Sequence, residues 1–129
     1  MNWHFDRSEY SISLILQPAQ EGGKFQFVPN ARDVVQGWDT MPLDVDDISR
    51  ALEPHSKTKT IVHEPKLAAG DVYIFRGQNS LHRVSEIVKG KRINIILTYN
   101  TSPDVRLNQY TLQKFFGVGN KEEEEDSSA

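Results

Sequence analysis

Apolar residues recur at every second position in several stretches of the chain, which is the spacing of β-strands rather than helices. The clearest stretch is residues 11–17, where Ile12, Leu14 and Leu16 fall on one face. Residues 92–100 form the longest strand candidate, and shorter strands are predicted over residues 24–28, 58–62, 71–76 and 82–87. Many short strands separated by turns predict an all-β sandwich or barrel rather than a parallel α/β sheet.

The helical signals are confined to short segments. Residues 44–52 begin with acidic side chains, which favour a helix N-terminus, and Pro54 follows their end. These features predict one short helix, and residues 31–38 are expected to add another turn or two. Residues 110–116 fit either a helix or a last strand. We therefore predict one or two short helices beside the strands.

Length and composition exclude several classes of protein. The chain has 129 residues and no cysteine, so we expect at most one domain, without disulfides, thiolate metal sites or a cysteine nucleophile. Its apolar runs are too short to span a membrane, and no signal peptide precedes His4. We therefore expect a cytoplasmic protein without a membrane partner.

The charge of the chain is unevenly distributed. The net charge is −3, but residues 121–129 hold one lysine and five acidic residues, so the rest of the chain is close to neutral. That balance gives no electrostatic reason to expect nucleic acid as a partner. We predict a folded domain over residues 1–118 and a disordered acidic tail over residues 119–129.

Three side chains are candidates for a metal site. His4 and Asp6 are two residues apart, so on a strand they share a face, and His82 from a distant strand can complete the set. Two imidazoles and one carboxylate occupy one face of an octahedron, an arrangement that suits non-haem Fe(II) binding a co-substrate and O₂. His-x-Asp alone is a common pattern, and an exposed N-terminal pair is the competing interpretation.

Arg92 follows His82 by ten residues and strengthens the metal interpretation. Alternation along its strand places Arg92 and Asn94 on one face, opposite Ile93 and Ile95. A buried arginine needs a carboxylate partner, and its planar fork suits two-point capture of one. An acidic co-substrate would supply that carboxylate. The alternative is a structural ion pair with an acidic residue of the chain itself, Asp71 or Glu86.

In their order and spacing these residues resemble the Fe(II)- and 2-oxoglutarate-dependent oxygenases, and most closely the branch of free-amino-acid hydroxylases and halogenases. The resemblance covers nearly all of residues 3–100 and is carried by the segments Trp3–Asp6, Gly22–Phe25, Gly70–Phe75, Leu81–Val84 and Arg92–Asn94. It implies a double-stranded β-helix, or jelly-roll, with the iron in the mouth of the barrel.

The resemblance also implies roles for individual residues. His4, Asp6 and His82 would be the Fe(II) ligands, while Arg92 and, less directly, Asn94 would bind the distal carboxylate of 2-oxoglutarate. The implied reaction is hydroxylation of a small molecule, such as a free amino acid, with O₂ as oxidant and release of succinate and CO₂. The halogenases have a small residue in place of the carboxylate ligand, so Asp6 favours hydroxylation. Arg76 lies beside the predicted site and is a candidate substrate contact.

The chain departs from this family at its start, because a complete jelly-roll has strands before the His-x-Asp segment and only three residues precede His4. We expect a partial domain that lacks its N-terminal strands, with the missing half as a potential partner. Two other functions stay open. One is a jelly-roll binding module without chemistry, and the other is a cupin-type hydrolase or isomerase with zinc or manganese on the same ligands.

Overall fold

A computed structural model describes residues 2–32, 44–53 and 61–103 of the chain. In these residues antiparallel strands dominate and one short helix is present, so the prediction of an all-β, jelly-roll-like fold is confirmed. The elements in chain order are β1 (Tyr10–Gln17), β2 (Glu21–Gly22), β3 (Phe25–Val28), α1 (Asp44–Leu52), β4 (Val72–Phe75), β5 (Leu81–Val84), β6 (Ile87–Lys89) and β7 (Ile93–Tyr99).

The described strands form a three-stranded sheet in the order β4-β1-β7 and two pairs, β2-β6 and β3-β5. Backbone bridges extend the β3-β5 pair on both sides, from His82 to His4 and from Phe27 to His63. Aromatic side chains join this pair to the three-stranded sheet, since the Phe25 ring contacts Phe75 on β4 at 5.2 Å between centroids. The functional residues lie between these two layers.

Most predicted strands agree with the structure, and the predicted helix over residues 44–52 coincides with α1. The prediction of one strand over residues 82–87 was wrong, because the chain changes partner at Ser85 and Glu86. The Ser85 amide donates to the Lys24 carbonyl, and the Glu86 carbonyl accepts from Gly23. The chain therefore leaves β3 as its partner and pairs with β2 from Ile87 onwards.

The glycine pair between β2 and β3 has the role that its sequence position predicts. Gly22 and Gly23 have φ values of 72° and 61°, in the left-handed region that only glycine adopts without strain. They turn the chain sharply from β2 into β3. Gly23 also approaches the aliphatic part of Arg92, where an added Cβ would lie 3.4 Å from the Arg92 Cδ.

One apolar cluster stabilises the outer face of the β3-β5 pair. Phe5, Val28 and Leu81 are buried there, and helix α1 packs against them through Ile48 and Leu52. Burial of side chains this size contributes about 1.5–3 kcal/mol each relative to exposure. The opposite face of β5 carries His82, so this cluster holds the strand that positions a candidate ligand.

Several predictions fall partly or wholly on residues outside the described ranges. Ile61 and Val62 are not in a strand, so the prediction for residues 58–62 is wrong in that part, and residues 58–60 lie outside the described residues. Residues 31 and 32 of the predicted turn over residues 31–38 are not helical, and the rest of that turn, the segment 110–116 and the acidic tail lie outside the described residues. Within the part of the chain that the structure describes, no helix is long and apolar enough to cross a membrane.

Candidate metal centre

Backbone pairing brings two residues 78 positions apart in sequence into direct contact. The His4 amide donates to the His82 carbonyl and the His82 amide donates to the His4 carbonyl, both at 3.0 Å. Two residues further on, the Asp6 amide donates to the Gly77 carbonyl at 2.9 Å. These bonds place the segment around His4 along the edge of β5 and fix all three candidate ligands to the same strand and the loop before it.

The three side chains converge as the sequence predicts. One donor atom from each of His4, Asp6 and His82 lies within 4.8 Å of the other two, and the group could hold a metal ion. The Asp6 Oδ1 atom is 3.3 Å from the Nε2 atom of His82 and 3.7 Å from that of His4. The two imidazole rings are 4.3 Å apart between centroids and inclined by 58°. The N-terminal segment is therefore not an exposed pair.

The tautomers of both histidines are set by the backbone. The Nδ1 atom of His4 lies 2.8 Å from the Asn2 carbonyl oxygen, and that of His82 lies 2.8 Å from the Ser80 carbonyl oxygen. A carbonyl oxygen only accepts, so each Nδ1 carries a hydrogen and Nε2 is the nitrogen left to bind a metal ion. Both Nε2 atoms lie beside the Asp6 carboxylate. A cation between these atoms, either a proton on one Nε2 or a metal ion, satisfies them, and two imidazole nitrogens with a carboxylate are ligands that suit a metal ion.

The protonation states expected at this site also suit a metal. Burial lowers the pKa of His4, and the neighbouring charge of His82 lowers it further, so His4 is neutral near pH 7. Burial alone would raise the pKa of Asp6, but the hydrogen bond and positive charge of His82, when its Nε2 carries a proton, and the hydrogen bond from Ser11 outweigh burial. The pKa of Asp6 is therefore below its usual range. A neutral His4 imidazole and an ionised Asp6 carboxylate are the forms that bind a metal.

The local structure around His4 differs from the expected strand. His4 makes a single backbone bridge, and Phe5 and Asp6 after it belong to no strand, although the Asp6 amide donates to the Gly77 carbonyl. The two ligands still reach the same side, because Phe5 between them is buried in the apolar cluster on the other side. The Arg32 guanidinium covers the Phe5 ring at 3.9 Å and donates to the Gln78 carbonyl. Packing of Phe5, rather than a strand, orients the ligand pair.

Arg92 lies beside a small cavity between the two layers, whose lining includes Ile15, Gly23, Phe25 and Arg92. Its guanidinium donates to the Tyr73 hydroxyl at 3.3 Å. Among the described residues no carboxylate lies within ion-pair distance of Arg92, so the alternative of a structural pair with Asp71 or Glu86 is not what the structure shows. The guanidinium thus faces the cavity with hydrogen-bonding capacity to spare.

Asn94 occupies the predicted face, opposite Ile15 on β1. Its Nδ2 donates to the Ser13 hydroxyl at 2.7 Å, while its buried Oδ1 has no partner among the described residues. Rotation of the amide by 180° lets Ser13 donate to Oδ1 and frees Nδ2 as a donor. In that orientation Asn94 can contribute a hydrogen bond to a carboxylate beside Arg92.

Aromatic rings line the space between Arg92 and the histidines. The Phe75 ring contacts His82 at 4.6 Å in an edge-on arrangement, and it stacks against Tyr73 at 5.9 Å. Phe25 lies against both of these rings. Since the Tyr73 hydroxyl contacts Arg92, these rings form a continuous wall from the candidate metal ligands to the guanidinium.

Arg76, the predicted substrate contact, and several other basic residues lie outside the three-residue group. Arg76 is exposed, its guanidinium is 5.9 Å from the Tyr10 ring, and it directly precedes Gly77. Arg83 alternates away from His82 and lies over the Trp3 ring. His63 stacks on Phe27 at an exposed edge of the sheet and is not part of the three-residue group. His55 lies outside the described residues.

Two polar residues of this site were missed by the sequence analysis. Ser11 is 1% exposed and donates to Asp6 Oδ2 at 2.5 Å, and Tyr73 contacts Arg92. Ser11 alternates with the apolar residues of β1, which by itself predicts a solvent-facing serine. Tyr73 shares the alternation of β4 with Phe75, which predicts only a common face. Neither pattern carries a signal for these hydrogen bonds.

Comparison with models of known protein families gives a match. The sequence model of a family described as Halogenase D matches residues 1–115, which is most of the chain. No curated protein matches it. The matched range includes the three clustered side chains and the residues around Arg92.

Proposed function

The chain belongs to the halogenase D family, and we propose that it acts as an Fe(II)- and 2-oxoglutarate-dependent oxygenase on a small molecule, with hydroxylation as the outcome. The observation that carries this proposal is the convergence of two histidine Nε2 atoms and one carboxylate oxygen, which lie within 4.8 Å of one another. When bound there, Fe(II) with 2-oxoglutarate and O₂ supplies the oxidising power for C–H hydroxylation, with succinate and CO₂ as co-products.

The co-substrate site is proposed around Arg92. The Arg92 guanidinium can bind one carboxylate through two N–H groups. The Asn94 amide and the Tyr73 hydroxyl lie close enough to donate further hydrogen bonds to it. Hydrogen bonds to a charged group each contribute about 1.5–3 kcal/mol. The rings of Phe25 and Phe75 form an apolar wall between this carboxylate and the histidines. A dicarboxylic acid could therefore contact Arg92 at one end and the metal at the other.

The choice between hydroxylation and halogenation rests on Asp6. Its carboxylate is directed at the two imidazoles, where it would occupy one coordination position of the ion. A halide needs such a position for itself. We therefore favour hydroxylation despite the name of the family. We propose a free amino acid as the substrate class because the sequence resembles the branch of free-amino-acid hydroxylases and halogenases.

Anaerobic titration with Fe(II) and then 2-oxoglutarate tests the proposal. We expect one Fe(II) per chain and a visible charge-transfer band when 2-oxoglutarate is added. The variant His82→Ala should lose both, while His63→Ala, which removes a histidine outside the group, should retain both. A folded chain that binds no Fe(II), or that binds it equally well without His82, would overturn the proposal.

Product analysis then separates the reaction classes. With O₂ and a panel of free amino acids, succinate release and a hydroxylated product are expected, and added chloride or bromide should not enter the product. A halogenated product would replace hydroxylation by halogenation. Metal binding without any effect of 2-oxoglutarate would instead favour the hydrolase or isomerase alternative.

A further inference from the structure

The two oxygens of Asp6 have different partners, which has consequences for how it can bind a metal. Oδ1 faces the histidine Nε2 atoms, while Oδ2 accepts a hydrogen bond from the Ser11 hydroxyl at 2.5 Å. Ser11 is 1% exposed, so water does not compete for this bond. A hydrogen bond to an ionised group in such surroundings is short and strong. It fixes the rotation of the carboxylate and turns Oδ2 away from the imidazoles.

Gly77 lies against the same carboxylate, on the side of Oδ2. A Cβ added to Gly77 would lie 2.6 Å from Asp6 Cβ and 2.7 Å from Asp6 Cγ, and it would overlap Oδ2. Gly77 is not among the residues with positive φ, so its backbone conformation does not require glycine. Glycine is needed at position 77 because a side chain there would have no space beside Asp6. Because the Gly77 carbonyl also accepts from the Asp6 amide, the two backbones cannot separate without losing that bond.

We propose that Ser11 and Gly77 are positioning residues that make Asp6 a one-oxygen metal ligand, and that the absence of a side chain at Gly77 is matched to a carboxylate at position 6. The inference rests on the proposed function, because it assigns the geometry of the metal ligand. With Oδ2 held by Ser11, only Oδ1 is left for the ion. Asp6 then occupies one coordination position instead of two, which leaves room for a co-substrate and O₂.

The Ser11 part is tested by titration of the purified chain with Co(II), followed by its visible absorption. Loss of a partner of this kind typically weakens metal affinity about tenfold to a hundredfold, and that is the loss expected for Ser11→Ala. Ser11→Thr retains the hydroxyl and should restore the affinity and the spectrum. Ser13→Ala is the matched control, since Ser13 is equally buried on the same face of β1 and does not contact Asp6.

The Gly77 part is tested by a double-mutant cycle on the metal-free protein. Gly77→Ala should lower the Tm when Asp6 is present and leave it unchanged when Asp6→Gly has removed the carboxylate. A general packing defect would lower the Tm equally in both backgrounds. In the Asp6 background, Gly77→Ala should also weaken Co(II) binding.

These experiments distinguish the inference from the proposed function. If the wild-type chain binds no metal at the three residues, the proposed function is wrong and the ligand assignment made here is wrong with it. If the wild-type chain binds metal but Ser11→Ala binds it equally well, or if Gly77→Ala has the same effect with and without Asp6, the proposed function stands and this inference is wrong.

Discussion

The two faces of the three-stranded β4-β1-β7 sheet reverse the usual distribution of polar and apolar residues. On the inner face, Ser11 and Ser13 are only 1% and 2% exposed. On the outer face, Ile74, Ile95 and Leu97 are 65%, 44% and 47% exposed. An antiparallel sheet normally packs its apolar face on the core and leaves its polar face in water. Here the face that meets the second layer is the one that carries the hydroxyls.

This difference between the faces shows that a buried polar side chain needs a hydrogen-bond partner. Buried serines are tolerated because each one is paired, Ser11 with Asp6 and Ser13 with Asn94. Those partners are the residues that we assign to the metal and to the co-substrate. The inner face therefore carries polar residues because it forms the candidate site, and its packing comes from the rings of Phe25 and Phe75 together with the buried Ile15.

The largest effect on stability is expected from a comparison of two neighbouring residues of β4 whose side chains point to opposite faces. Phe75→Ala removes a ring that contacts Phe25, Tyr73 and His82, and it should cost about 2–4 kcal/mol of unfolding free energy. Ile74→Ala removes a side chain that is 65% exposed and should cost under about 1 kcal/mol. Urea unfolding of the two variants measures both. Equal losses would contradict the assignment of the faces.

A smaller effect is expected at the inner face beside the cavity. Arg92→Met removes the guanidinium but retains the aliphatic part, and it should weaken 2-oxoglutarate binding about tenfold to a hundredfold, the loss of one charged contact. Lys91→Met is the matched control, since it removes a positive charge one residue earlier on an exposed side chain. Calorimetric titration of the Fe(II)-loaded chain measures both affinities. An equal loss in the two variants would mean that only net charge matters.

The sequence predicted the all-β fold and the common side of His4 and Asp6 because both depend on local rules. Period-two alternation identifies strands and the residues that share a face, and the bounds of β7 and of α1 agree with the predicted ranges to within a residue or two. His4 and Asp6 lie on a common side, as their separation by one residue predicts. The burial of Phe5 between them, rather than a strand, holds them there. Arg92 was identified by the same alternation.

What the sequence could not give depends on contacts between distant segments. Alternation identifies the two faces of β1 but not which face is buried, because that is decided by the layer that packs on it. Nothing in the sequence around Ser11 or Gly77 indicates a role, because that role depends on the Asp6 carboxylate, which the fold brings next to both residues. The division of residues 82–87 between two partners likewise depends on Lys24 and Gly23.

The smallest expected effect concerns Arg76, which lies outside both faces of the sheet, at the rim of the site. It is exposed, and it directly precedes the glycine that contacts Asp6. If it binds a carboxylate of the substrate, Arg76→Ala should raise the KM at most about fivefold, because an exposed ion pair contributes no more than about 1 kcal/mol. The kcat and the Fe(II) affinity should not change, since Arg76 contacts neither the metal ligands nor Arg92 among the described residues.

Initial rates with the amino acid that stimulates succinate release measure the KM. Arg83→Ala, which removes an arginine on the far side of β5, is the control. A fall in kcat with unchanged KM would place Arg76 in the structure of the loop rather than in substrate binding.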